Sequence, residues 1–310
     1  MKLSKLVELR EHLKLVYNTT AISLGIDRIS TELNGINSTV EDAGFNLEIT
    51  DLTQDLERMH SALTINYTKY TALIDHIDQN IATESGKLFT ENYNLELKYN
   101  AIEQVRNVRI MPLSDEVQAD ILNKIRLYTN WKYPALEIGC RDGEWTQHMV
   151  AADPLYIVDQ FREFTESATK DFTEVYRRRI RVYLIQGYDM STLPQNQFGF
   201  VFCWNFLNYC SLDTVKEYLK EVKNLLRPGG VFMFSYNDGD RPGGAGMAEN
   251  FFMSYIPRSM LIPMCESLGY EIVNDESRDT TVSWLEIRKP GILETVKAHQ
   301  VLGEIKQVNV

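Results

Sequence analysis

The sequence predicts an α/β protein in which a long α-helical N-terminal region precedes a domain of alternating strands and helices. Three observations carry that reading. All nine prolines of the 310-residue chain lie at Pro112 or later, and only four of the 17 glycines (Gly25, Gly35, Gly44 and Gly86) come before it. Proline removes a backbone donor and clashes inside a helix, so a stretch without it and poor in glycine suits long helices. Apolar residues in that stretch recur at coiled-coil spacing, whereas after Pro112 short apolar runs alternate with amphipathic ones and are punctuated by glycine. The expected organisation is a helical oligomerisation arm over 1–112, an α/β domain over 113–290 and an amphipathic helix or tail over 291–310.

In the arm, Ile22, Ile26, Ile29, Leu33, Ile36 and Val40 follow the 4-3-4-3-4 alternation of a coiled-coil seam. A second run, Ile49, Leu52, Leu56, Met59 and Leu63, continues through Asn66 to Tyr70, Leu73 and Ile77 and is out of phase with the first. The slip falls at Gly44, so the arm is either a helical hairpin folded there or one oligomeric stalk with a local defect. Ser85-Gly86 is expected to break the second helix. Self-association through these helices is the expected partnership.

In the second part, Ser114 followed by Asp115 and Glu116 reads as a helix start, with Val117, Ile121, Ile125 and Leu127 as its apolar face. Ala135-Leu-Glu137-Ile-Gly139-Cys140-Arg141-Asp-Gly143 is then a short strand and a glycine turn, with a helix expected from Thr146 to Val150. Leu155–Asp159 is a strand ending in an acid. Phe198–Trp204 is a buried strand, followed by a helix with Val215, Leu219, Val222 and Leu225 on one face. Leu226-Arg-Pro-Gly-Gly leads into another apolar strand, a last helix covers Ser259 to Gly269, and two strands close the domain. Asp238 to Gly246 reads as a glycine-rich loop, and Arg177–Arg181 as a solvated basic corner.

The dinucleotide fingerprint G-x-G-x-x-G fails, because Arg141 and Glu144 stand at its second and third glycine positions. The segment instead resembles motif I of the class I S-adenosylmethionine (SAM) dependent methyltransferases, E/D-x-G-x-G-x-G, with Arg141 in place of the middle glycine. Asp159, Gln186-Gly187-Tyr188-Asp189-Met190 and the Leu226–Gly230 turn match later pieces of that family in order, over about residues 115–288. The resemblance implies a Rossmann-like, seven-stranded methyltransferase domain with SAM as cofactor. It further implies cofactor contacts from Glu137, Gly139, Cys140, Gly143, Asp159, Gln160, Asp189 and Met190. Asp159 would take the ribose hydroxyls, Asp189 the adenine amino group, and Met190 the face of the ring.

Methyl transfer from a sulfonium is an in-line displacement, so alignment and, where needed, proton removal are the enzyme's tasks. Asn205, Asn208, Tyr209, Tyr236, Asn237 and Asp238 follow the fourth and fifth strands and could position an acceptor. Among them Asp238 is the expected base, with Asn205 and Tyr209 beside it. The implied function is methyl transfer to a small molecule, sugar or protein. The alternative is a structural or assembly protein, such as a phage virion component, that reuses the fold; the long arm and Arg141 favour it.

Other classes are disfavoured. The formal charge is -11 with a pI near 5.1, and it divides almost evenly: residues 1–112 carry 11 basic and 16 acidic side chains, 11 - 16 = -5, leaving -6 for the rest. Neither part is a basic nucleic-acid surface. Cys140, Cys203, Cys210 and Cys265 form no metal-ligand spacing, and the start of the chain lacks a signal-peptide core, so a cytoplasmic protein without a membrane partner is expected.

Overall fold

A computed structural model describes residues 2–19, 68–89, 113–278 and 282–293, with isolated positions at 54, 55, 58, 61 and 91. The chain divides into two compact units, Met1–Lys87 and Leu88–Val310. In the first, helix α1 spans Leu3–Thr19 and buries Leu3, Leu6 and Val7. Residues 68–89 form helix α2, whose Asp78 pairs with Arg10 of α1 at 3.6 Å. The first seam run, the Gly44 turn and the helix expected near the C-terminus all lie outside the described residues. Of the expected seam on α2, Ile77 is buried, Tyr70 is half-buried and Leu73 is exposed, with Ile81 buried one turn beyond Ile77. Helix α2 also runs through Ser85-Gly86, where the Ser85 hydroxyl donates to the Ala82 carbonyl within the helix.

The second unit is built on one seven-stranded sheet: β1 (Ala135–Ile138), β2 (Leu155–Asp159), β3 (Ile180–Leu184), β4 (Phe198–Cys203), β5 (Leu226–Tyr236), β6 (Glu271–Arg278) and β7 (Val282–Arg288). Its order is β3-β2-β1-β4-β5-β7-β6, parallel from β3 to β5 and antiparallel where β7 joins β5 and β6. The central strands β1 and β4 are buried at every position, as parallel strands covered on both faces must be.

Helices cover both faces. Helix α3 (Asp115–Tyr128) starts where expected: the Ser114 hydroxyl accepts from the Val117 N–H at 3.3 Å. It buries Val117, Ile121 and Ile125, but Leu127 points outward, so the predicted face is one residue too wide. Helix α4 (Arg162–Thr169) lies against β2, and the short α5 (Glu174–Arg177) leads through the basic corner into β3. On the other face, α6 (Leu212–Leu225) buries Val215, Leu219, Val222 and Leu225 completely, each contributing about 1.5–3 kcal/mol. Two further expectations change. The segment after Gly143 forms only a single 3₁₀ turn, Thr146–His148, and the presumed loop at 242–246 is a helix, α7 (Pro242–Glu249), opened by proline at its first turn. Helix α8 (Arg258–Ser267) then packs beside α6 and β6.

Candidate functional site

Strand order reverses between β1 and β4, and in open α/β sheets that reversal leaves a crevice outside the carboxyl ends of the strands. The glycine turn after β1 stands at this point. Gly139 has φ +73° and Gly143 has φ +87°, backbone that side-chain-bearing residues rarely adopt. A Cβ on Gly143 would lie 2.7 Å from the Ala168 Cα, so glycine is what lets the turn approach α4. Arg141, at the position of the family's middle glycine, also has positive φ, +45°. The turn therefore keeps a left-handed backbone there despite the bulky residue.

Asp159 ends β2 directly beside this turn. Its Oδ1 accepts from the Phe161 N–H at 3.1 Å and its Oδ2 from the Arg141 N–H at 3.4 Å, with the Cys140 thiol at 4.0 Å. Burial raises its carboxyl above the usual range, against the opposing pull of those N–H groups and of Arg141. Gln160 follows, half-buried. Glu137 is buried on β1 with the Thr146 hydroxyl donating to its Oε2 at 2.5 Å. Burial pushes Glu137 up to about 8, with the Asp159 charge adding to the effect and the Thr146 bond opposing it. Burial also drives the Cys140 thiol far upward, which makes it an inert packing group.

A carboxylate has about four lone-pair sites, and Asp159 spends one per oxygen on the backbone. The capacity left after those bonds and the weak Cys140 thiol bond suits a ribose hydroxyl, and the glycine turn offers backbone approach next to it. The residues present therefore fit the ribose and amino-acid parts of SAM. The other expected contacts are divided. Asp189 is exposed and accepts from the Ser191 N–H at 3.0 Å, leaving its carboxylate at the surface. Met190 is wholly buried in the core with Ile185 and Leu193.

At the ends of β4 and β5, Asn205 has φ +51° and donates its N–H to Ser235 Oγ at 2.8 Å; Ser235 in turn donates to Asn208 Oδ1 at 2.8 Å. Tyr209 closes a 3₁₀ turn (Leu207–Tyr209) and is half-buried. Asp238 is buried, and its Oδ1 accepts from the N–H groups of Asp240 (3.0 Å) and Arg258 (3.2 Å). Burial raises it, and those two donors pull the other way. It thus caps the entry to α8. Asn237 is likewise committed, donating to the Gly244 and Ser254 carbonyls.

Sequence reasoning missed two aromatic residues. The Phe206 ring lies over Gly139, within 2.7 Å of where a Cβ would stand, and meets Tyr218 edge-on at 5.5 Å. Trp204, immediately after β4, packs with Trp145 (5.9 Å), Phe202 (6.1 Å) and Trp284 (6.0 Å). Their only sequence signal was position, one and three residues beyond a buried strand.

Comparison with known proteins places the domain. Residues 136–232 match the family model described as a methyltransferase domain. The human thiol S-methyltransferase TMT1B is 30% identical over 104 residues, which is 33% of this chain and 42% of that protein. The chain thus spans less than half the length of that relative. Among solved structures, the N-methyltransferase NodS from Bradyrhizobium japonicum WM9, in complex with S-adenosyl-l-homocysteine, is 16% identical with a TM-score of 0.44, covering 56% of this chain and 87% of that one. The [4+2]-cyclase SpnF is 15% identical with a TM-score of 0.45, covering 56% and 82%. Residues 136–232 thus match a methyltransferase domain, and S-adenosyl-L-methionine is the cofactor that this match supports. Among the described residues no helix is long and apolar enough to cross a membrane, and no cluster of metal-ligating side chains occurs.

Proposed function

We propose that the chain is a SAM-dependent methyltransferase with a small-molecule acceptor. The observation that carries the reading is Asp159, whose carboxylate is fixed by two backbone N–H donors beside the glycine turn at the switch point. The bound cofactor would supply an electrophilic methyl group on a sulfonium. Asp159 and the turn around Gly139 and Gly143 would bind it, with Glu137 and Gln160 adjoining and exposed Asp189 available to an adenine amino group. Phe206, over Gly139, would exclude water from the reacting end.

On the acceptor side, Asn205 and Tyr209 line the exit of β4 and would orient the acceptor. The expectation of Asp238 as base is weakened by its two backbone donors, which hold it as a cap for α8. An acceptor that ionises without help fits this site better. The name of the human relative, a thiol S-methyltransferase, supports a soft small-molecule nucleophile over a sugar or protein.

Calorimetric titration with SAM and S-adenosylhomocysteine tests the reading. The wild type is expected to bind both, and Asp159→Ala to lose at least tenfold in affinity, as expected for hydrogen bonds to a charged group. A wild type that binds neither would overturn the enzyme reading and leave the assembly protein, which the bulky Arg141 beside Asp159 favours.

A further inference from the structure

The resemblance assigns Met190 to the face of the adenine ring, but Met190 is wholly buried in the core with Ile185 and Leu193. Its side chain presents no surface to a ligand. Tyr188, two residues earlier, is 43% exposed, and Asp189 between them is exposed as well. A lone tyrosine at a surface is ordinary. What sets this one apart is the way its segment is held beside Asp159.

Strand register fixes one end of the segment. Leu184, the last residue of β3, pairs with Asp159, and the Ile185 N–H donates to the Asp159 carbonyl at 3.1 Å. The chain then turns at Gly187, whose φ is +59° and around whose Cβ position nothing lies within 4 Å. The Gly187 carbonyl accepts from the Tyr218 hydroxyl at 2.7 Å, which ties the other end to α6. Tyr218 meets Tyr188 edge-on at 6.4 Å and Phe206 edge-on at 5.5 Å, and Phe206 lies over Gly139. A line of three rings therefore runs from the glycine turn out to Tyr188. Asp189, next in the chain, accepts from the Ser191 N–H at 3.0 Å. An aromatic ring and a carboxylate thus stand as neighbours on a braced turn that starts at Asp159.

We propose that Tyr188 is the platform on which the cofactor's adenine stacks, in the role the resemblance gives to Met190; this rests on the methyl-transfer reading above. A purine attached to a ribose held at Asp159 needs a flat apolar partner for its face and an acceptor for its amino edge. The turn that leaves Asp159 offers both in consecutive residues. Stacking on an aromatic side chain tolerates any base, because every base has a π-face. Tyr188 therefore supplies affinity, and Asp189 supplies the preference for adenine. Phe161 is the rival platform, since it is half-buried beside Asp159, but its ring is engaged edge-on with Phe164 of α4 at 5.6 Å.

The test is calorimetric titration of the full chain with S-adenosylhomocysteine and with S-inosylhomocysteine, which lacks the amino group. Tyr188→Ala should weaken both ligands about tenfold, whereas Tyr188→Phe should bind them as the wild type does, because stacking needs the ring and not the hydroxyl. Asp189→Ala should weaken the adenine ligand alone. Tyr188→Trp adds a spectroscopic reporter: its extra indole emission, taken against the wild type, should be quenched on binding either ligand. The side chain is exposed, so all of these variants should melt with the wild type. Unchanged affinity in Tyr188→Ala, equal losses in the alanine and phenylalanine variants, or a loss in Phe161→Ala without one in Tyr188→Ala would overturn the proposal. A wild type that binds neither ligand would instead strike the methyl-transfer reading on which it stands.

Discussion

Replacing Glu137 with glutamine separates one buried proton from the rest of the fold. The side chain is buried on a central strand, and the Thr146 hydroxyl is the donor to it. Burial raises its carboxyl to about 8 from an ordinary 4.5. An acid raised on folding binds its proton more tightly in the native state than in the unfolded chain. Its stabilising contribution is complete below about pH 4.5 and drains away as pH climbs to about 8. Each pH unit inside that window is worth up to about 1.4 kcal/mol. Integrated from pH 5 to pH 8, with the curve flattening near the upper end, the loss is about 3–4 kcal/mol.

Glutamine keeps the shape and cannot titrate, so the difference between the two proteins should grow by about that amount across the window. Other raised acids, Asp159 and Asp238 among them, slope both profiles and cancel in the comparison. The assay is urea unfolding of wild type and Glu137→Gln at half-unit steps from pH 5 to 8, in one buffer mixture at constant ionic strength. At pH 5 the two should lie close together. Parallel stability profiles over the whole range would refute the reasoning, because they would mean that Glu137 is already ionised in the native protein.

Three further outcomes are expected. Gly143→Ala puts a Cβ at 2.7 Å from the Ala168 backbone in a left-handed conformation, and should cost about 1–3 kcal/mol in thermal unfolding while weakening S-adenosylhomocysteine binding. Lys124→Met removes the ammonium that pairs with buried Glu286 at 2.9 Å, and should cost about 3–5 kcal/mol by leaving that charge uncompensated. If the N-terminal helices self-associate, sedimentation should find an oligomer for the full chain and a monomer for residues 113–310; two equal states would defeat the oligomerisation arm.

Much of the α/β domain was legible because its signals are local. The spacing of Val215, Leu219, Val222 and Leu225 declares α6, and continuous apolar runs declare β4 and β5. Asp159 and the glycine turn were legible as a site through their order and spacing. Helix α7 was not, since Pro-Gly-Gly-Ala-Gly has little helical propensity of its own. Tertiary contact decides there: a Cβ on Gly244 would fall 1.9 Å from the Asp238 carbonyl oxygen, so glycine is required for the helix to pack at all. The break expected at Ser85-Gly86 failed for a related reason, because Ser85 bonds back into its own helix and space around Gly86 is open.

The protonation states of two buried acids could not have been read from sequence either, and together they show what the domain asks of its ligand. Register puts Glu137 opposite Phe202, Phe202 opposite Met233, and Met233 opposite Glu286, so the two glutamates occupy one row of one sheet. Burial works to raise Glu286 too, but bonds from Tyr128 (2.6 Å), Lys124 and Asn274 (2.8 Å) outweigh it and hold the carboxyl below its ordinary value. That site supplies its own cation. Glu137 has a hydroxyl where Glu286 has an ammonium, and burial favours its protonated form. A cation delivered to the β1 end of the row would reverse that, and the proposed cofactor carries positive charge on both its sulfonium and its amino group. Binding should therefore expel a proton, and calorimetry at pH 7 in buffers of different ionisation enthalpy reads it directly. Wild type should release up to one proton on binding S-adenosylmethionine and Glu137→Gln none. Equal release by both would place the ligand's charge away from β1, while leaving the stability profile of Glu137 as a separate fact about the fold.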